Sequence, residues 1–107
     1  MMWEVYYSPE ADRDLDNIFD YISDVLIEPV TAERFVERLM KAAESLDYMP
    51  FRHRIYDEEP WKSQGVRVFN IDKYMIFYKP DELHKTVKII SIMNGTVDIT
   101  KHLPIEN

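Results

Sequence analysis

The densest cationic cluster of the chain is Arg52-His53-Arg54, flanked by Phe51 and Tyr56. Guanidinium groups beside aromatic rings suit a nucleic-acid backbone, because the charges meet phosphates and the rings offer stacking platforms. His53 and His102 are the side chains whose type fits a general base, since imidazole titrates nearest neutrality. His84 falls in a turn-forming stretch and is expected to be exposed. Asp57-Glu58-Glu59 follows the basic cluster at once, and such a triplet cancels most of the field an anionic ligand would feel. The chain has no Cys, which excludes disulfides, thiolate metal sites and a Cys nucleophile. The three His are dispersed, so no metal cage is expected, and no motif implies a nucleotide or organic cofactor.

A second charged feature has the opposite sign. The net charge is −7, and it arises within the first 28 residues, where Glu4, Glu10, Asp12, Asp14, Asp16, Asp20, Asp24 and Glu28 face Arg13 alone. The remainder is neutral. Fields act over roughly a Debye length of 8 to 10 Å, so the acidic segment neither creates nor forbids a basic patch elsewhere. It provides a solubilising face or a docking surface for basic partner segments.

These residues must be positioned by regular elements. Trp3-Glu4-Val5-Tyr6-Tyr7 alternates and reads as a short strand. Ser8-Pro9 ends it and starts a helix, with Ser8 as N-cap, Pro9 at the first helical position and Glu10 and Asp12 complementing the dipole. Ala11, Leu15, Ile18, Phe19, Ile22, Val25 and Leu26 form its apolar stripe, which leaves Asp12, Asp16, Asp20 and Asp24 elsewhere. Glu28-Pro29 breaks this helix. A second is expected from near Thr31, carrying Ala32, Phe35, Val36, Leu39, Met40, Ala43 and Leu46, and stopping before Pro50. Residues 51–64 have no period and read as a long loop with room for one helical turn. Val66 to Ile71, Tyr74 to Tyr78 and Thr86 to Met93 then read as three strands of an antiparallel meander, with a tight turn at Asp72-Lys73. Tyr74 and Tyr78 share a face of their strand. Val97 to Leu103 is expected to be a short terminal helix or an extended tail.

The predicted fold is α+β: an N-terminal strand, an antiparallel helical hairpin, and a three-stranded meander, with the helices packed on one sheet face and the first strand joining the sheet. A chain of 107 residues fits one domain spanning 1–107. At that size about two thirds of the extended chain's surface can be buried. No run approaches the about 18 apolar residues of a membrane span, and a cytoplasmic protein is expected.

These residues resemble the RelE/ParE superfamily of bacterial type II toxins, often labelled plasmid-stabilisation proteins. The resemblance covers nearly the whole chain. It rests on Ser8-Pro9-Glu10-Ala11 leading into Asp14-Leu15-Asp16-Asn17-Ile18, on Ala32-Glu33-Arg34-Phe35, and on Ser45-Leu46 before Met49-Pro50. It continues in Gly65-Val66-Arg67, Tyr74-Met75-Ile76-Phe77-Tyr78, and Ile92-Met93-Asn94-Gly95 with Asp98.

The resemblance implies a growth-inhibiting toxin held silent by a cognate antitoxin, with one of two chemistries. RelE-like members are ribosome-dependent mRNA endoribonucleases; ParE-like members inhibit DNA gyrase by binding it. Arg67 matches the family's arginine on the first meander strand and is the implied anion contact, with Tyr74, Tyr78, His53 and His102 as catalytic candidates. Arg52, Arg54 and Arg67 are candidates for target binding, and Asp12, Asp16 and Asp20 for antitoxin binding. Where many relatives carry arginine, this chain has Met75 and the run Gly95-Thr96-Val97-Asp98. Both departures remove positive charge, and a thioether neither holds a phosphate nor moves a proton. The reading therefore favours a binding toxin over a ribonuclease, with a non-toxic repurposed binding module as a third alternative and self-association into a homo-oligomer left open.

Overall fold

The structure, a computed structural model, describes residues 2–106. Strand β1 (Glu4–Tyr7) leads directly into helix α1 (Pro9–Asp20). Ser8 caps α1 as its type predicts, its hydroxyl accepting from Ala11 N–H at 3.0 Å. The helical stripe was expected to run on through Leu26. Instead the α-helix stops at Asp20 and the chain widens into a π-helical turn, Tyr21–Val25, with Leu26 N–H reaching back to the Tyr21 carbonyl. No base sits in the last turn of α1 to complement the negative end of its dipole, and Ile27 then adopts φ 54°, which reverses the chain.

Helix α2 (Pro29–Glu44) begins two residues before the expected Thr31, because proline at the first helical position forgoes no hydrogen bond. A 3-10 turn (Ser45–Asp47) and another (Pro50–Arg52) lead into the irregular segment that ends at Gly65. Strands β2 (Arg67–Ile71), β3 (Tyr74–Asp81) and β4 (Thr86–Asn94) form the expected meander. Asp72 takes φ 53° in the two-residue β2–β3 turn. Strand β3 runs three residues beyond the expected Tyr78, since Lys79, Pro80 and Asp81 pair with Lys88, Val87 and Thr86. A short helix, α3 (Ile99–His102), follows.

The strand order is β1-β4-β3-β2, with β1 parallel to β4 and the helical hairpin carrying the chain across. Between Phe77 and Tyr78 the pairing shifts: Phe77 faces Ser91, Tyr78 faces Ile89, and Ile90 is the extra residue of a β-bulge. The bulge lets Ile89 and Ile92 both join the helix-side core, although three residues apart on an unbroken strand would put them on opposite faces. That core packs Ala11, Leu15 and Ile18 of α1 and Leu39 and Ala43 of α2 against Ile76, Tyr78, Val87, Ile89 and Ile92.

Beyond the end of β1, α1 closes the open edge of β4. Ser8 N–H donates to the Ile89 carbonyl at 2.9 Å and its hydroxyl to the Ile90 carbonyl at 2.7 Å. The other sheet face carries a second core of Tyr56, Trp61, Val66, Val68, Phe77, Ile90, Met93 and Leu103. The segment read as a long loop with room for one helical turn thus covers a hydrophobic face, pinned by the Trp61 indole donating to the Pro104 carbonyl at 2.9 Å.

Candidate functional site

The start of β2 faces the loop that bears the basic cluster. Arg67 Nη1 donates to the carbonyls of Phe51 at 3.0 Å and His53 at 2.6 Å, and its guanidinium lies 5.0 Å from the centre of the Phe51 ring. Its Nε is buried and has no hydrogen-bond partner among the described residues. Tyr78, on β3 directly opposite Arg67, is fully buried and donates its hydroxyl to the Pro50 carbonyl at 2.6 Å. Burial pushes that phenol up to about 12, so it stays protonated at neutral pH. Arg52 Nη1 turns back on the carbonyls of Ser45, Tyr48 and Met49, and its Nη2 reaches the Ser45 hydroxyl at 2.9 Å. Three side chains with the chemistry to hold an anion therefore hold the 48–53 backbone instead.

His53 stacks on Phe69, rings 4.3 Å apart and nearly parallel, with the Tyr78 ring edge-on at 6.2 Å. Burial, then the Arg52 charge, lowers its pKa, which favours neutral imidazole. Arg54 is exposed and its side chain makes no hydrogen bond or ion pair among the described residues, while its carbonyl accepts from Val68 N–H at 3.1 Å.

The structure thus brings Arg67, Tyr78 and His53 together, but with the functional ends of Arg67 and Tyr78 turned onto carbonyl oxygens. Tyr74 and His102 lie elsewhere. They line a cleft of about 330 Å³ between α1 and the end of β4, with Arg13, Asp14 and Asn17 on the opposite wall. Tyr74 also packs against Phe35 at 5.3 Å. Asp14 is a residue that sequence reasoning passed over. Its carboxylate accepts Ile92 N–H at 2.9 Å and the Ser91 hydroxyl at 2.7 Å, and nothing local in the sequence signals a partner 78 positions away.

Asp12 and Asp16 border a groove of about 450 Å³ between the two helices, floored by Leu15, Phe19, Val36 and Met40. Asp20 is exposed one turn further on. Met75 and Val97 pack with the far-face core. Among the described residues no group of three His, Asp or Glu is placed to hold a metal ion, and no helix is long and apolar enough to cross a membrane.

This architecture is that of the RelE/ParE-like toxins. A chain of a chromosomal ParDE toxin–antitoxin system from P. aeruginosa superposes with a TM-score of 0.73 at 22% identity, covering 87% of this chain and 96% of that one. A chain of the RelBE2 toxin–antitoxin complex from Mycobacterium tuberculosis gives 0.66 at 21% identity, covering 88% and 99%. No curated protein matches the sequence. The family model for the ParE toxin of the type II toxin–antitoxin system parDE matches residues 5–99, and the chain belongs to that family. The resemblance read from the sequence is thereby borne out, as is the predicted α+β order.

Proposed function

We propose that this member of the ParE toxin family acts by binding a protein target, in the manner of gyrase inhibition, and is neutralised by a cognate antitoxin laid across its helices. The observation that carries this reading is the engagement of Arg67 by the Phe51 and His53 carbonyls. Phosphodiester cleavage needs cations free to meet the developing phosphorane charge and a group to move the 2′-hydroxyl proton. Here Arg52 and Arg67 are positioning residues for the loop, and Tyr78 is a buried donor. Arg54 is the cation of this loop left to meet a target. The partner expected at the Asp12–Asp16 groove is an antitoxin segment with apolar anchors and Lys or Arg beside them, matching an apolar floor under an acidic rim.

A second reading, a RelE-like mRNA endoribonuclease, draws support from the partly exposed His53, whose ring meets Tyr78 edge-on and whose carbonyl holds Arg67. Expression in a bacterial host separates the two. Growth arrest with intact transcripts and DNA damage, together with inhibition of gyrase supercoiling by the purified chain, is the expected result. Arrest with cleaved transcripts transfers the assignment to the ribonuclease reading, and absence of arrest assigns a non-toxic binding module.

A further inference from the structure

The tip of the helical hairpin presents an apolar surface that the reading above does not use. Val25, Leu26, Ile27 and Val30 are exposed there, Ile27 at 80% and Val25 and Val30 at 62% each. They adjoin a groove of about 350 Å³ between the tip and the β2–β3 turn, lined by Tyr21, Ile22, Leu26, Thr31, Phe35 and Tyr74 among others. Contiguous exposed apolar surface with a polar rim marks interaction sites on soluble proteins. The backbone is unusual at the same place. A π-helical turn runs into Ile27, a β-branched residue at φ 54°, a region such residues rarely enter. Strain of this kind persists where the surrounding structure demands it and concentrates at ligand clamps and switches.

The rim charges identify the occupant. Glu28 lines the groove, and Asp20 and Asp24 are exposed on the adjoining end of α1 and π-helical turn; none of the three makes an ion pair among the described residues. No Lys or Arg occurs between Arg13 and Arg34. Across the groove the Asp72 carboxylate is taken up by Arg38 at 2.6 Å, which leaves Lys73 as the basic lining residue. Two copies meeting tip to tip would press these acidic rims together, and like-charge juxtaposition opposes that pairing.

We propose that this groove docks an amphipathic segment of a partner protein. Its apolar side chains enter between Leu26, Phe35 and Tyr74, and its flanking Lys or Arg residues meet Asp24 and Glu28. The mode is helix-in-groove recognition, with apolar anchors supplying affinity and the charged rim supplying selectivity. The surface shares no lining residue with the Asp12–Asp16 groove, so both can be occupied in one assembly.

The test uses the full chain and two short synthetic helical peptides with the same apolar pattern, one Leu/Lys and one Leu/Glu, followed by amide chemical shifts. The Leu/Lys peptide is expected to shift Tyr21, Leu26, Phe35 and Tyr74. Its affinity should fall roughly tenfold in Leu26→Ser, as for a central anchor, and severalfold in Asp24→Asn/Glu28→Gln. Glu58→Gln, at an exposed acid that lines neither groove, should leave it unchanged. Leu26 is half exposed, so Leu26→Ser is expected to fold, and its unfolding midpoint confirms that. Equal binding of the Leu/Glu peptide, absence of shifts at Leu26, Phe35 and Tyr74, or indifference to Leu26→Ser overturns the proposal. Concentration-dependent dimerisation abolished by Leu26→Ser also overturns it, by giving the groove to a second copy.

Discussion

Arg67 on the first meander strand donates to the backbone carbonyl of His53 at 2.6 Å, across 14 positions of sequence. The guanidinium expected from the sequence to contact an anion is thereby a strut between the sheet and the loop that bears the basic cluster. Its planar fork suits the task, since one nitrogen serves two carbonyls while the flat face lies over the Phe51 ring.

Replacing Arg67 by Ala is expected to destabilise the fold by about 1–3 kcal/mol, through loss of the charge-assisted hydrogen bonds to the Phe51 and His53 carbonyls and of the contact with the Phe51 ring. Denaturant unfolding measures it. Arg67→Lys should recover only part of the loss, because an ammonium cannot stack on Phe51 while serving both carbonyls. Full stability in Arg67→Ala would remove the strut assignment.

Tyr78→Phe removes one hydroxyl from the buried contact with the Pro50 carbonyl. A loss of about 1–2 kcal/mol is expected. Growth arrest by the folded variant should persist on the target-binding reading, whereas a ribonuclease that used this phenol would lose activity without losing structure.

Asp14 secures the β4 edge where β1 ends, by accepting Ile92 N–H and the Ser91 hydroxyl. Asp14→Ala leaves both donors unsatisfied and is expected to cost about 1–3 kcal/mol. Amide hydrogen exchange at Ile92 should accelerate in that variant more than at Phe77, which is paired on the opposite side of the strand.

The stacked His53 makes stability depend on pH in a defined direction. Its folded pKa lies below the ordinary 6.5, so below that pH the unfolded chain binds a proton that the folded chain resists. The stability it contributes is present above pH 6.5 and is lost as pH falls toward the folded value. Unfolding midpoints between about pH 7 and pH 5 should decline more steeply for the wild type than for His53→Phe, which keeps the stack on Phe69 without titrating. Parallel profiles would show that the ring protonates freely in the fold.

If the antitoxin lies over Asp12 and Asp16, affinity of the toxin–antitoxin complex should fall with added salt, and Asp12→Asn/Asp16→Asn should flatten that dependence. Salt titration by calorimetry reads both. A salt-independent wild-type complex would place the acidic face outside the interface.

Local chemistry in the sequence was enough for the elements and their order. Ser8-Pro9 sets the start of α1, Glu28-Pro29 parts the two helices, the Asp72-Lys73 turn joins β2 to β3, and period decides helix from strand because side chains repeat every 3.6 or 2 residues. The acidic face was equally legible, since charge on one stripe of a helix follows from spacing alone. What a cation or a hydroxyl touches did not follow. Arg67 and Arg52 read as free charges until the loop folds back and offers them carbonyl oxygens, and Tyr74 and Tyr78, alike in sequence, separate into a cleft-lining ring and a buried donor. The bulge at Ile90, the Asp14–Ile92 bond and the second core under Trp61 depend in the same way on contacts between residues far apart in the chain. Such contacts exist only after the backbone's own hydrogen-bonding needs have been met, and those needs determine which polar side chains remain available to a partner.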